Sequence, residues 1–241
     1  MDNGQDLDLI IGAPSYGSER IEYTGQTYVF SNVSISNGKL IWTEQKSVKS
    51  AENANSYGST LRLWNNQILT SGVHYSTDKL RQVGIIETLD GAKNYTGPDY
   101  PYSWTGQSLQ PIDNNRLAVS SHLAKVGGVE TEGFVTILDE NLNEIERIFH
   151  PLLRSDQFGY DMTVIPLNFE GSARNCLVVG APISTYGAHT NAGSVMIFDS
   201  DTYEYLGKLD SDRALGRFGR TLEHSNEKLF VGAPRYHNVI T

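Results

Sequence analysis

The chain has 241 residues, of which 39% are hydrophobic and 20% are charged, so it holds enough apolar material to form a sizeable core. Its net charge of −9, with Lys and Arg scattered along the sequence, disfavours nucleic acid and acidic lipid surfaces as partners. No apolar run reaches the roughly 18 residues that a membrane-spanning helix needs, which excludes such a helix.

An apolar phrase that ends in Gly-Ala-Pro recurs along the chain. It begins as Leu9-Ile10-Ile11-Gly12-Ala13-Pro14, returns at 177–182 and 229–234, and has weaker copies at 68–72 and 117–121. The equivalent positions are Gly12, Ser71, Ser120, Gly180 and Gly232. They are separated by 59, 49, 60 and 52 residues, and a period of this length indicates a repeat architecture.

Two further features keep a regular distance from this phrase. A second glycine follows the first four copies by 13 residues and opens a stretch with strand composition such as Thr27–Phe30. These second glycines are Gly25, Gly84, Gly133 and Gly193. An aromatic-glycine or related pair precedes the later copies, at Tyr57-Gly58, Thr105-Gly106, Phe158-Gly159 and Phe218-Gly219. Short polar turns at Asn65-Asn66, Asn114-Asn115 and Ser225-Asn226 separate this pair from the phrase.

One repeat therefore contains four antiparallel strands, which is the unit of a β-propeller blade, with a solenoid as the alternative. We predict an all-β fold of about four and a half repeats in a single propeller segment, 1–241. Its predicted blades are 1–54 (partial), 55–102, 103–154, 155–214 and 215–241 (partial).

The length is short for a closed ring of such blades. Seven blades at this period would need roughly 350 to 420 residues. The first repeat is predicted to lack its opening strand, and the last to hold only its first two strands. We therefore expect an open arc of a larger propeller, with exposed sheet edges.

The aromatic-glycine pair followed by Gly-Ala-Pro resembles the FG-GAP repeat of integrin α chains and of glycosylphosphatidylinositol-specific phospholipase D. Residues 8–30 are similar to a stretch of the C-terminal propeller of the phospholipases, and 158–182 and 216–236 are similar to later repeats in the same order. The resemblance covers nearly the whole chain, is weakest from about residue 40 to 150, and is closer to the phospholipases than to the integrins.

The resembled phospholipases also carry an N-terminal zinc-dependent catalytic domain, and nothing in this sequence corresponds to it. Catalytic zinc needs about three clustered ligands. The histidines are far apart in sequence: His74, His122, His150, His189, His224 and His237. His74 and His122 occupy nearly the same place in successive repeats, either as a metal pair or as ordinary loop histidines. We assign no catalytic residue to this chain.

Many FG-GAP repeats bind Ca²⁺ through a loop rich in Asp and Asn, so the resemblance makes Ca²⁺ the one candidate cofactor. The candidate ligands are Asp2, Asn3, Asp6 and Asp8, which resemble the tail of such a loop. Their spacing is one residue longer than the usual pattern. The alternative interpretation is a solvated acidic terminus without a metal.

Three further features have competing interpretations. Asn32-Val33-Ser34 and Asn94-Tyr95-Thr96 match glycan acceptor sites, although such triplets also arise by chance. The aromatic segment 95–104 is predicted to be a loop that packs between blades, with stacking on sugar as the alternative. Cys176 is predicted to be a buried thiol that acts as a small hydrophobic residue.

The function predicted from this resemblance is that of a non-catalytic propeller with a role in interaction or substrate positioning. Its partners would be a protein or glycan ligand bound through the blade loops, or a catalytic domain and further blades outside this chain. The alternative is an adhesion or ligand-binding module like that of integrin α chains. The resemblance implies an extracellular or secretory location, although residues 1–6 are acidic and polar, unlike a signal peptide.

Overall fold

The computed structural model describes residues 7–15, 24–50, 56–126, 132–152, 154, 156–169, 171–226 and 228–235. All the regular secondary structure in these residues is β-strand, arranged in five antiparallel sheets. No helix long and apolar enough to cross a lipid bilayer occurs in this part of the chain.

Three of the sheets have four strands that follow one another in sequence order, each paired with the next. The second sheet contains β5 (Tyr57–Trp64), β6 (Gln67–Gly72), β7 (Ile85–Thr88) and β8 (Asn94–Thr96). The third contains β9 (Leu109–Pro111), β10 (Leu117–Ser121), β11 (Phe134–Leu138) and β12 (Glu144–Phe149). The fourth contains β13 (Met162–Phe169), β14 (Ser172–Ala181), β15 (Ser194–Asp199) and β16 (Tyr205–Asp210).

The first and fifth sheets flank these three. The first contains β1 (Leu7–Ala13), β2 (Gln26–Ser36), β3 (Lys39–Ile41) and β4 (Glu44–Val48). The fifth contains β17 (Thr221–Ser225) and β18 (Lys228–Gly232). The Gly-Ala-Pro phrases and their weaker copies lie at the ends of equivalent strands, namely β1, β6, β10, β14 and β18. In the second to fifth sheets this is the second strand of the blade, and in the first sheet it is the first strand described. The hairpin turn before β6 uses two left-handed residues, Asn65 (φ 49°) and Asn66 (φ 59°).

The first sheet differs from the others because β2 is long and pairs with two strands. Its first half pairs with β1 and β4, and its second half forms a hairpin with β3 around Asn37-Gly38. Both turn residues have positive φ, as a tight hairpin turn requires. The repeat pattern did not predict this hairpin. It leaves Ile35 77% exposed and Trp42 45% exposed.

Apolar side chains are buried between successive sheets, and this packing defines the fold. The largest cluster joins the third and fourth sheets through residues such as Ile137, Phe158 and Leu177. Smaller clusters join the second sheet to the third and the fourth to the fifth. The opening strands β5, β9, β13 and β17 also contact one another in succession. Four-stranded antiparallel sheets packed in this way are the blades of a β-propeller.

The predicted all-β propeller fold is therefore confirmed. Among the described residues, the first sheet packs against the second and the fifth packs against the fourth, but the two terminal sheets do not pack closely on each other, which is consistent with an open arc. Apolar side chains are exposed on both terminal sheets, as Ile11 is in the first (44%) and Phe230 is in the fifth (54%).

The repeated glycines lie where neighbouring blades approach each other most closely. A Cβ added to Gly193 would overlap the backbone of Phe218 in the next blade, and the same holds for Gly133 and Phe158. The Phe158 N–H donates to the carbonyl oxygen of Glu132 at 3.1 Å, beside Gly133. Equivalent bonds join Tyr57 to Thr24, Thr105 to Val83 and Phe218 to Ala192 at 3.2, 3.2 and 2.9 Å. Backbone contact thus replaces side-chain packing at each of these junctions.

We predict that Gly193→Ala destabilises the protein more than Gly187→Ala does. Both glycines have positive φ, 92° and 57°, so both variants pay a backbone cost of about 1–2 kcal/mol. Only Gly193 faces the next blade, whereas a Cβ on Gly187 would meet nothing within 4 Å. Overpacking should add about 1–3 kcal/mol to the Gly193 variant, measured by urea unfolding. Equal free energies of unfolding would contradict this account of the junction.

Candidate functional site

One end of the propeller carries two kinds of loop. The antiparallel order places the end of each second strand beside the start of each first strand. The loops after the second strands and the loops between blades therefore share this end, which we call the loop face. Its described loops include 73–84, 97–108, 150–152, 182–193 and 211–220.

Four rings and an arginine form a continuous row across the loop face. The ring centroids of His74 and Trp104 are 4.6 Å apart, those of Trp104 and His122 are 6.1 Å apart, and those of His122 and Tyr160 are 5.0 Å apart. The guanidinium carbon of Arg220 lies 4.7 Å from the centroid of the Tyr160 ring. We call these five residues the ring row. They connect the second blade with the third, fourth and fifth.

His122 is the buried centre of the ring row, with only 3% of its surface exposed. Burial and the nearby positive charge of Arg220 lower the pKa of His122 to about 4. The imidazole is therefore neutral at physiological pH, with one ring nitrogen available as an acceptor. Its Nδ1 has no hydrogen-bond partner among the described residues.

His74 and Trp104, at the other end of the row, have hydrogen-bond partners. His74 Nδ1 lies 2.7 Å from the Ser56 hydroxyl, and burial lowers the pKa of His74. The Trp104 indole N–H donates to the Gln82 side-chain oxygen at 2.9 Å. These bonds fix the orientation of the two rings and leave the His122 and Arg220 end as the part with unused polar groups.

A second group of ionisable residues is buried where the third and fourth blades meet. The His150 Nε2 atom lies 3.1 Å from an Asp156 carboxylate oxygen, and the Ser184 hydroxyl donates to the same oxygen at 2.8 Å. His150 Nδ1 accepts the Leu152 N–H, which leaves Nε2 as the ring nitrogen that faces the Asp156 carboxylate. Burial raises the pKa of the neighbouring Glu132.

This buried group does not have the geometry of a hydrolytic triad. A serine nucleophile needs its hydroxyl proton to pass to an imidazole. Here the Ser184 hydroxyl donates to a carboxylate instead, and both groups are buried. Their arrangement ties together two consecutive loops of the loop face, one containing Asp156 and the next containing Ser184.

Polar contacts also join the opening strands around the propeller axis. The Asp161 carboxylate accepts the Ser108 hydroxyl at 3.0 Å and the Leu222 N–H at 2.8 Å, which links three consecutive blades. Burial raises the pKa of Asp161, although these hydrogen bonds oppose the shift. Arg62 donates to the side-chain oxygen of Gln110 in the same region. These groups are paired with one another and serve to connect blades.

Of the four candidate Ca²⁺ ligands, only Asp8 lies within the described residues. Asp2, Asn3 and Asp6 lie outside the described residues. Asp8 belongs to β1, and its carboxylate accepts the Asn32 N–H at 3.3 Å. Among the described residues, no three His, Cys, Asp or Glu side chains are grouped to hold a metal ion. The Ca²⁺ site stays a prediction.

The other sequence features have definite positions. The Trp104 ring lies between His74 and His122 and separates these two candidate metal ligands. Cys176 is fully buried, as predicted, and burial raises the pKa of its thiol. In the aromatic segment, the Tyr100 ring contacts Phe134 of the next blade at 5.9 Å, which favours packing over sugar stacking.

Sequence reasoning missed Tyr160 and Arg220. Both directly follow the glycine of an aromatic-glycine pair, at equivalent positions in successive repeats. That shared position was the available signal, since it places both side chains at the start of an opening strand. Their contact with each other depends on the rotation between two blades, which the spacing alone does not give.

Comparisons with known proteins give one weak structural likeness and no family. Neither the protein-family models nor the curated proteins give a match. Among solved structures, the chain is similar to the WD40 domain of Pan2 from Neurospora crassa, with 12% identity and a TM-score of 0.42. The match covers 88% of this chain and 60% of that one. The sheet order and the contacts between blades, rather than this weak likeness, make the chain a β-propeller.

We predict that acid destabilises the protein through His122. Its pKa is lowered from 6.5 to about 4 on folding, so this contribution is fully retained above pH 6.5 and is lost as pH falls towards 4. His122→Phe, which keeps a ring in the row, should remove about 2 kcal/mol of the stability loss between pH 7.5 and pH 5. Urea unfolding at both values measures it. The exposed His189→Phe variant is the control, and an unchanged acid loss in His122→Phe would refute the assignment.

The two glycan acceptor sites differ in their surroundings, and both stay predictions. Asn94 is exposed on β8, whereas the Asn32 side-chain amide donates to the Thr43 hydroxyl at 2.5 Å. When the chain is secreted behind a heterologous signal peptide, we expect a glycan on Asn94 and lower occupancy at Asn32, since a glycan would disrupt the Thr43 contact. Intact mass before and after glycosidase treatment, with Asn94→Gln as the control, tests this. Occupancy at Asn32 alone would contradict it.

Proposed function

We propose that this chain is a non-catalytic interaction propeller that binds its partner through the loop face. The ring row carries this proposal, because it brings aromatic and cationic side chains from four blades together at one end of the arc. Aromatic residues and arginine are the side chains most enriched where proteins bind partners.

More specifically, we propose that the chain belongs to a protein like the glycosylphosphatidylinositol-specific phospholipases D and positions a substrate for a catalytic domain elsewhere. The support is the repeat motif itself, whose glycines form the junctions between blades. The buried His150 group supports a non-catalytic role, because its serine is not placed as a nucleophile. An extracellular location follows from the same resemblance and is part of the proposal.

The experiment uses a glycosylphosphatidylinositol-anchored protein in detergent micelles and the same protein without its anchor. The isolated chain should bind the anchored form in surface plasmon resonance and release none of it, measured by phase partition. Tyr160→Ala should weaken binding by about tenfold, since it removes both the His122 and the Arg220 contact of this ring. The control is Tyr205→Ala, on the outermost strand of the same blade.

Three outcomes would contradict the proposal. Release of the anchored protein would make the chain catalytic. Equal weakening by Tyr205→Ala would move the binding surface away from the loop face. Equal binding of both protein forms, abolished by chelation of Ca²⁺, would favour the integrin-like adhesion module instead.

A further inference from the structure

The backbone segments that carry three arginines lie close together at the fifth-blade end of the ring row. The Arg220 N–H donates to the Arg217 carbonyl oxygen at 3.3 Å, and the Arg235 N–H donates to the Gly216 carbonyl oxygen at 3.3 Å. No ion pair joins any of the three to a carboxylate of the described residues. Neighbouring backbone segments thus carry three arginines without a carboxylate partner among the described residues, on a chain whose net charge is −9.

Arg220 is held in place without being neutralised. Its guanidinium group lies 4.7 Å from the Tyr160 ring centroid, and the other neighbour of that ring is His122, at 5.0 Å. Next to this charge, the buried His122 Nδ1 has no partner among the described residues. A bound anion would explain both a pre-positioned cation and an unsatisfied buried nitrogen, because His122 in the tautomer with its proton on Nδ1 can donate to such a ligand.

The geometry of the rings argues against stacking as the means of recognition. Trp104 and His122 meet edge to face at 78°, and His122 and Tyr160 meet at 70°. The Tyr160 ring is covered by Arg220 on one side. These contacts occupy part of the ring surfaces, and the Arg220 guanidinium group is the charged contact that the row offers.

We propose that Arg220, flanked by Arg217 and Arg235, binds a carboxylate or phosphate group carried by a peptide segment of a partner protein. The planar guanidinium fork matches both groups, with two parallel hydrogen bonds. This inference rests on the proposed interaction role of the loop face, and it names the chemistry of the partner.

The charge of the whole chain selects a peptide over a polyanion. Nucleic acids, acidic polysaccharides and anionic membranes carry many charges, and a chain of net charge −9 repels them at long range. A peptide with a single acidic group escapes most of this repulsion and still meets the local arginines. Repulsion of this kind against wrong partners contributes to specificity.

The test begins with a displayed library of random peptides selected on the full chain. Selected sequences should be enriched in Asp or Glu at one position, and replacing that residue with Asn or Gln should abolish binding in calorimetry. Phosphoserine at the same position should restore it. Comparison of the acidic and phosphorylated peptides, with inorganic phosphate as competitor, distinguishes the two sources of the anion.

Arg220→Gln should weaken peptide binding by about ten- to a hundredfold, the effect of losing a charge-assisted contact. Arg174→Gln is the matched control, because it makes the same charge change at the opposite end of β14 from the loop face and should alter binding less than about twofold. Circular dichroism must show that both variants are folded. Arg217→Gln, an adjacent change outside the row, provides a second test if Arg220→Gln fails to fold.

Peptides without an acidic residue, a library that yields no binder, or equal weakening by Arg174→Gln would overturn the inference. Tighter binding of heparin than of every selected peptide would assign the arginines to polyanions instead. If the peptide proposal fails, the proposed interaction role can still hold. Its own experiment depends on Tyr160 and the lipid anchor rather than on an acidic peptide.

Discussion

The close approach of backbone to backbone between blades is the constraint on which this fold depends. At each junction a glycine of one blade lies against the aromatic-glycine pair of the next, leaving no space for a Cβ atom. Apolar clusters then fill the wider space between the sheets. The two repeated motifs, which are far apart within one repeat, are therefore two halves of a single contact between neighbouring repeats. Such nearest-neighbour contacts are how repeat proteins are stabilised.

The same junction determines where the candidate site can form. Residues next to the aromatic-glycine pairs are carried to the start of the opening strands, so Tyr160 and Arg220 occur at equivalent places in adjacent blades. His74 and His122 lie in the loops that follow the second strands, and these loops reach the same junctions from the preceding blade. The ring row is the side-chain continuation of these backbone contacts, and its spacing follows from the spacing of the blades.

The sequence allowed the blades to be predicted but not the details of the site. A fixed distance between glycines and the apolar phrase was sufficient for strand order, because both features are local to one repeat. The hairpin at Asn37-Gly38 was not predicted although an Asn-Gly turn is a strong signal, because it is an insertion in the first sheet that the other sheets lack. The contacts of Trp104 and Arg220 depend on side-chain orientation across blades, which no single-repeat pattern contains.

Buried ionisable groups in this structure belong to two classes with different consequences. Asp161 accepts two backbone N–H groups and a hydroxyl, and Asp156 lies beside His150 and accepts the Ser184 hydroxyl, so both mainly hold loops and strands together. His122 and Arg220 differ because each is held by contact with the Tyr160 ring, and the His122 Nδ1 atom has no partner among the described residues. A group that is buried or fixed without a partner costs stability. A ligand that supplied the missing contact would offset that cost, and this is the physical basis of the proposal made for this end of the loop face.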